Sequence, residues 1–192
     1  MLMSRSRILR LLALVLPMAV GTTFLSMVAV GSAGAALPPC DIDPSTNLPT
    51  RTVNLSGTLM RNDCIITGLS TSGAGGGVEN YGTMVLTNVV ISLNSADGGG
   101  GGIYNAFTGT LTLTNVVVTD NTTGGFGGGI LNDGGTLSMT NVTVTHNNAG
   151  AGGGGLAVSG SVNGSGLAVT NNTTTDGDGG GILNFGSFCL SS

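Results

Sequence analysis

Along most of this chain apolar and polar residues alternate one by one in short runs, and no segment carries a 3.6-residue pattern. Alternation with period 2 marks a strand with one buried face. Leu111-Thr-Leu113-Thr is such a run, and at Asn115 it gives way to a second, Val116-Val-Val118-Thr. The runs themselves recur. Gly-rich tracts ending in an aliphatic residue return at Val78, Ile103, Ile130, Leu156 and Ile182, spaced 25, 27, 26 and 26 residues. A Val/Ile-x-x-Asn mark recurs separately at Ile91/Asn94, Val118/Asn121, Val144/Asn147 and Val169/Asn172. Two registers share one period.

Laid coil over coil, the apolar positions form columns: Met84/Leu111/Leu137/Val162, Leu86/Leu113/Met139, Val89/Val116/Val142/Leu167 and Ile91/Val118/Val144/Val169. Strands this short cannot bury themselves alone, but wound into coils and stacked at ~4.8 Å they enclose one dry core. The pattern predicts an all-β, right-handed parallel β-helix (β-solenoid) of about 4–5 coils, with ~26 residues and three short strands per coil. Its hand is expected from strand-crossover chirality. Asn88, Asn115, Asn141 and Gly166 share a corner column, and Asn and Gly are the residues that best tolerate left-handed backbone. Asn94, Asn121, Asn147 and Asn172 are expected to point inward as a structural ladder of stacked amides.

Running the register back by 25 residues puts Val53, Leu59, Cys64 and Ile66 in the same columns. Asp63 then falls on the corner, Leu69 replaces the ladder Asn, and Arg61 enters an apolar column. This is a degenerate first coil. Residues 36–52, with four prolines, read as an N-terminal loop or cap, and 53–192 as the β-helix. The last coil is incomplete, which fits truncation of a longer passenger, fraying, or end-to-end self-association through the open C-terminal coil.

Ahead of all this, Arg5, Arg7 and Arg10 precede an apolar run from Leu11 to Val30 and a small-residue end at Gly31–Ala36. These are the parts of a secretory signal peptide over 1–35, which leaves no stable membrane span once cleaved; a retained anchor is the alternative, since the run is long enough to span a bilayer. Export predicts a secreted or cell-surface protein. Removing the signal leaves two arginines against nine carboxylates, a formal charge of −7. That excludes nucleic acid, whose phosphates need cations. The 36 glycines suggest a disordered linker, but a mean hydropathy of +0.40 and 7% charged residues contradict this.

The paired marks, Gly-Gly-Gly-Ile-x-Asn with Val-x-x-Asn, resemble the polymorphic outer-membrane-protein family of bacterial surface passengers. Those proteins carry GGAI-like and FxxN-like tetrapeptides. The first corresponds to Gly75–Val78, Gly100–Ile103, Gly127–Ile130, Gly153–Leu156 and Gly179–Ile182, the second to the four Val/Ile-x-x-Asn marks. Here the family's Phe is Val or Ile, and its Ala is mostly Gly. The resemblance implies a secreted, surface-exposed passenger with adhesive roles.

Candidate chemistry is sparse. Polysaccharide lyases and hydrolases also occur on β-helices, and a carbohydrate-active enzyme is the alternative function. The carboxylates Glu79, Asp97, Asp120, Asp133, Asp176 and Asp178 all lie in or beside turns and corners, with no basic residue expected to pair with them. No catalytic residue is assigned. Asp97, Asp176 and Asp178 lead into equivalent Gly tracts and are the only Ca²⁺ candidates; otherwise no cofactor or metal is implied. His146 is expected to face outward and to be inert. Cys40 and Cys64 either form a disulfide tying cap to first coil or leave Cys64 as a buried core thiol, while Cys189 is the odd cysteine, free to pair between molecules. Outward rows Thr83/Thr110/Thr136/Ser161 and Thr87/Thr114/Thr140/Ser165 suit a glycan or ice surface, although Thr is also common on exposed β surface. The expected function is an exported, non-catalytic adhesin-like or structural module that contacts extracellular glycans or proteins.

Overall fold

A computed structural model describes residues 36–41 and 50–191. The signal segment, much of the cap and Ser192 lie outside the described residues. Four sheets run the length of the described chain. The first comprises Thr52–Asn54, Val78–Asn80, Ile103–Asn105, Ile130–Asn132, Leu156–Val158 and Ile182–Asn184. The second comprises Thr58–Asn62, Thr83–Thr87, Thr110–Thr114, Thr136–Thr140, Ser161–Ser165 and Ser187–Ser191. The third is Ile65–Thr67, Val90–Ser92, Val117–Thr119, Thr143–Thr145 and Ala168–Thr170. The fourth is made of two-residue strands, among them Ser95–Ala96, Thr122–Thr123 and Asn148–Ala149. Every pairing between these strands is parallel. The molecule is a parallel β-solenoid of about five turns, repeating every ~26 residues.

The columns pair in the expected register: Met84 with Leu111, Leu111 with Leu137, Leu137 with Val162. Likewise Ile91, Val118, Val144 and Val169 stack in the third sheet. Their side chains fill one continuous core, fully buried in the middle coils and partly open at Leu167 and Val169. Burying a branched aliphatic side chain stabilises by roughly 1.5–3 kcal/mol, and each rung contributes several. Between rungs the backbone groups are satisfied by the ladders, so a strand of three residues is stable only because it has neighbours above and below.

Two expectations need correction. Each coil has four strands rather than three, because the backbone between the Asn ladder and the Gly tract also pairs, over two residues. In the first coil, Thr52 and not Val53 sits over Val78. Thr52 is 1% exposed and Val53 41%. The 25-residue shift holds at Leu59/Met84 and Ile66/Ile91. It fails earlier because the turn from Asn54 to Gly57 is one residue longer than that from Asn80 to Gly82, so the register steps to 26. The solenoid thus begins one residue inside the expected cap.

The cap is tied to the first coil. Pro39 bridges Ile65, with Cys40 N donating to Ile65 O at 2.9 Å and Ile65 N to Pro38 O at 2.7 Å. Cys40 and Cys64 are joined by a disulfide, and Cys64 is also buried in its core column. Arg61, over Leu86 in the second sheet, is drawn to Asp41 at 2.6 Å, and Asp41 also accepts from the buried Thr52 hydroxyl.

Candidate functional site

The ladder asparagines are mutually bonded, with Asn94, Asn121 and Asn147 buried and Asn172 half-buried. Asn94 Nδ2 donates to Asn121 Oδ1, Asn121 to Asn147 and Asn147 to Asn172, each at 3.0 Å. Each Nδ2 also donates to a carbonyl one coil earlier, and each Oδ1 accepts a backbone N–H. A second ladder escaped the sequence reading: Asn54, Asn80, Asn105 and Asn132 are bonded in series at 2.8–2.9 Å. The recurring Ile-x-Asn triplet was its signal. Among the described residues no buried side-chain nitrogen or oxygen lacks a partner. In the middle of the first ladder, Asn121 and Asn147 donate both amide hydrogens and accept two bonds each.

The corner asparagines Asn88, Asn115 and Asn141 have φ of 54°, 53° and 52°, and Gly166 has 61°. Asp63 shares this geometry at 50°. Their amides form a third series along the corner, Asn141 to Asn115 to Asn88 to Asp63. A further positive-φ column, Leu93, Asp120, His146 and Asn171, was not expected. His146 is exposed there, bonded only to the adjacent Thr145 hydroxyl at 3.1 Å.

The calcium candidates are not brought together. Asp97 belongs to the second coil and Asp176 and Asp178 to the fifth, three rungs or about 14 Å apart along the axis. Equivalence in sequence meant equivalence of position in the coil, not adjacency. Among the described residues no group of three or more His, Cys, Asp or Glu is placed to hold a metal ion. Against expectation, one of the turn carboxylates does meet a cation: Glu79 accepts from Arg51 at 2.7 Å, and Arg51 also donates to the carbonyls of Ala74 and Gly75. Arg51 lies just before the first strand, so stacking by one coil brings it to Glu79.

The outward threonines of the second sheet lie in straight rows, Thr83, Thr110, Thr136 and Ser161 in one and Thr87, Thr114, Thr140 and Ser165 in another. They form a hydroxyl-rich face. Cys189, exposed and free, stands at its last rung.

Chemistry concentrates instead on the outer side of the first sheet. One outward column there reads Glu79, Tyr104, Leu131, Ala157 and Leu183. The turns that follow these strands carry Tyr81, Phe107, Asp133, Ser159 and Phe185. Phe107 arises because its turn, from Asn105 to Gly109, is two residues longer than the turn from Asn80 to Gly82; it is 81% exposed. Phe126 enters from the corner before the Gly tract, pairing with Gly152. Gly99 and Gly152 occupy that corner one rung to either side, and a Cβ on them would stand 2.8 Å from the Leu131 and Leu183 methyls respectively. The absence of side chains there leaves room for Leu131 and Leu183.

The result is a depression of about 340 Å³ between Phe126 and Phe185, floored by Leu131 and Ala157 and edged by Asp133 and Ser159. That volume lies at the lower end of small-ligand sites. The polar edge is organised: Tyr104 Oη donates to Asp133 Oδ2 at 3.0 Å and Ser159 Oγ to Asp133 Oδ1 at 3.2 Å. Burial, reinforced by the Asp133 carboxylate, pushes the Tyr104 phenol up to about 12. Tyr81, packed edge-on to Tyr104 with centroids 6.1 Å apart, is also raised, chiefly because its hydroxyl donates to Glu79. Sequence reasoning missed this face because its outward column changes residue type on almost every rung, unlike the threonine rows, and so leaves no repeat to read. No family model, no curated protein and no solved structure matches this chain.

Proposed function

We propose that the chain is an exported, non-catalytic β-solenoid, an adhesin-like or structural module that meets extracellular glycans or proteins through its outer faces. The observation that carries this reading is the state of its cations. Among the described residues the two arginines, Arg51 and Arg61, are each held in an ion pair and by further bonds, and none stands free beside an exposed carboxylate pair. Cleavage of an acidic polysaccharide calls for a free cation to stabilise developing charge, together with an acid and a base. The solenoid instead offers long, rigid outer faces of Thr, Ser, Asn and aromatic side chains, suited to contact rather than turnover. The signal-like N-terminus supports export, and the in-phase Gly-tract and Val/Ile-x-x-Asn marks support kinship with the polymorphic outer-membrane-protein passengers.

Cell fractionation with intact-mass measurement tests export. A product beginning at residue 36 or 37 in the medium or on the surface is the expected result, and a full-length cytosolic product overturns it. Incubation with uronate polymers is expected to give no cleavage. Turnover that disappears in Asp176→Asn or Asp178→Asn would make the chain an enzyme.

A further inference from the structure

We infer that the aromatic face of the first sheet is a glycan-binding groove, with a neutral polysaccharide as its ligand. This rests on the reading of the chain as a contact module, and it assigns the contact to particular residues. The distribution of rings is the first argument. Outside the signal the chain has six aromatic residues, and five of them, Tyr81, Tyr104, Phe107, Phe126 and Phe185, lie on this one face. The sixth, Phe188, stacks on the core residue Val162. Nothing in the folding of the solenoid requires rings there: Phe107 and Phe185 are 81% and 74% exposed and add little to the core.

The second argument is the recess. Phe126 and Phe185 flank it, and apolar Leu131 and Ala157 form its floor. The glycines at 99 and 152 keep the neighbouring rungs clear. A pyranose ring has an apolar C–H face and an equatorial rim of hydroxyls, and it needs both kinds of partner at once. Rings and aliphatic floor meet the first, while Asp133 and Ser159 along one edge meet the second. Asp133 already accepts from Tyr104 and Ser159, so its carboxylate is fixed in place. An ionised carboxylate has about four acceptor sites, and two bonds leave room for sugar hydroxyls. Recognition sites of this composition, mostly apolar with a few placed polar groups, are typical of small-ligand pockets.

The third argument is charge. Glu79 and Asp133 line the face, and the nearest cation, Arg51, is consumed by Glu79 and two backbone carbonyls. An anionic polymer finds no counter-charge and is repelled, so uronate and sulfated glycans are excluded in favour of neutral ones. The rings span from the second coil to the sixth, four rungs or about 19 Å, so the site follows the solenoid axis and takes an extended chain rather than a single sugar.

The test is binding of the full-length gene product to arrayed neutral hexose oligosaccharides and to uronate oligomers of matched length. Wild type is expected to bind members of the neutral set and none of the uronate set. Phe126→Ala, Phe185→Ala and Asp133→Asn, all at exposed positions, are expected to weaken binding by about tenfold each. Thr110→Lys on the threonine face is expected to leave it unchanged. Neutral-glycan binding that survives the three groove variants but is lost in Thr110→Lys overturns the groove and leaves the contact-module reading standing. Preference for uronates also overturns it. A wild-type chain that binds no glycan, but whose self-association or capture of a protein is lost in Phe126→Ala, overturns the glycan assignment. Absence of any binding partner defeats both readings.

Discussion

Gly102 lies directly against the amide of Asn121: a Cβ on Gly102 would stand 3.0 Å from Asn121 Nδ2 and 2.7 Å from the Gly129 carbonyl oxygen. The same contact recurs as Gly77 with Asn94, Gly129 with Asn147 and Gly155 with Asn172. The two marks that repeat in phase along the sequence are therefore two sides of one joint. The Gly tract turns across the end of the coil so closely that only hydrogen fits between it and the ladder. Gly102→Ala is expected to displace the Asn121 amide and lower stability by about 1–3 kcal/mol, as overpacking does. Urea unfolding monitored by far-UV circular dichroism reads the loss; a midpoint equal to wild type would refute the close packing.

The corner column separates a backbone requirement from a side-chain one. Asn115 has φ of 53° and exchanges one amide bond with each neighbour, at 3.0 and 3.3 Å, near the surface. Asn115→Gly should change stability by well under 1 kcal/mol, whereas Asn115→Ala should cost about 1–2 kcal/mol because alanine is strained in the left-handed region. Equal losses in the two variants would mean that the exposed amide bonds, not the backbone, hold the corner.

Cys40 and Cys64 close a loop with a sequence separation of 24 residues. Chain-entropy arithmetic gives such a cross-link about 3 kcal/mol of stabilisation. Cys40→Ala is expected to lose about that amount and to expose residues 36–41 to proteolysis while the middle coils stay protected. Hydrogen exchange resolved by peptide distinguishes the two regions, and uniform deprotection of every coil would contradict the expected local loss.

The Tyr104 phenol, raised to about 12, ties the groove to alkaline pH. A proton held more tightly in the folded state than in the unfolded one contributes stability that is complete below about pH 10, the unfolded value, and is lost as pH rises toward 12. Ultraviolet titration of phenolate should therefore show Tyr104 ionising well above free tyrosine. In Asp133→Asn the value should fall, since the charge that opposes phenolate is gone. An unchanged Tyr104 titration in that variant would remove Asp133 from the account.

How much was legible follows from which positions the fold constrains locally. Inward columns such as Met84/Leu111/Leu137 must be apolar on every rung, so alternation and period alone mark them. Asn115 and Gly166 exchange at a corner because the backbone there is left-handed, a requirement visible in residue type. The ladder at Asn94–Asn172 could be read because stacked buried amides need the same residue on every rung, and the parallel ladder at Asn54–Asn132 left its mark in the Ile-x-Asn triplets of the third and fourth coils. The first coil was misplaced by one residue because one turn residue more or less leaves no mark in the hydrophobic pattern yet moves Thr52 into the core and Val53 out.

The outer surface followed other rules. Outside the threonine rows, side chains pointing to solvent differ from rung to rung, so Phe126, Leu131, Ser159 and Phe185 look unrelated along the chain. Parallel stacking sets residues one coil apart side by side, and turn lengths then shift them around the circumference. That is how a corner residue of the third coil comes to face a turn residue of the sixth across one recess. It is also how Arg51 reaches Glu79, and why Asp97 and Asp178, alike in sequence context, stay three rungs apart. Repetition in the chain was enough to specify a solenoid, because burial and backbone strain act identically on every rung. Where its chemistry gathers was decided by tertiary stacking, since only the count of residues in each turn determines which exposed side chains meet.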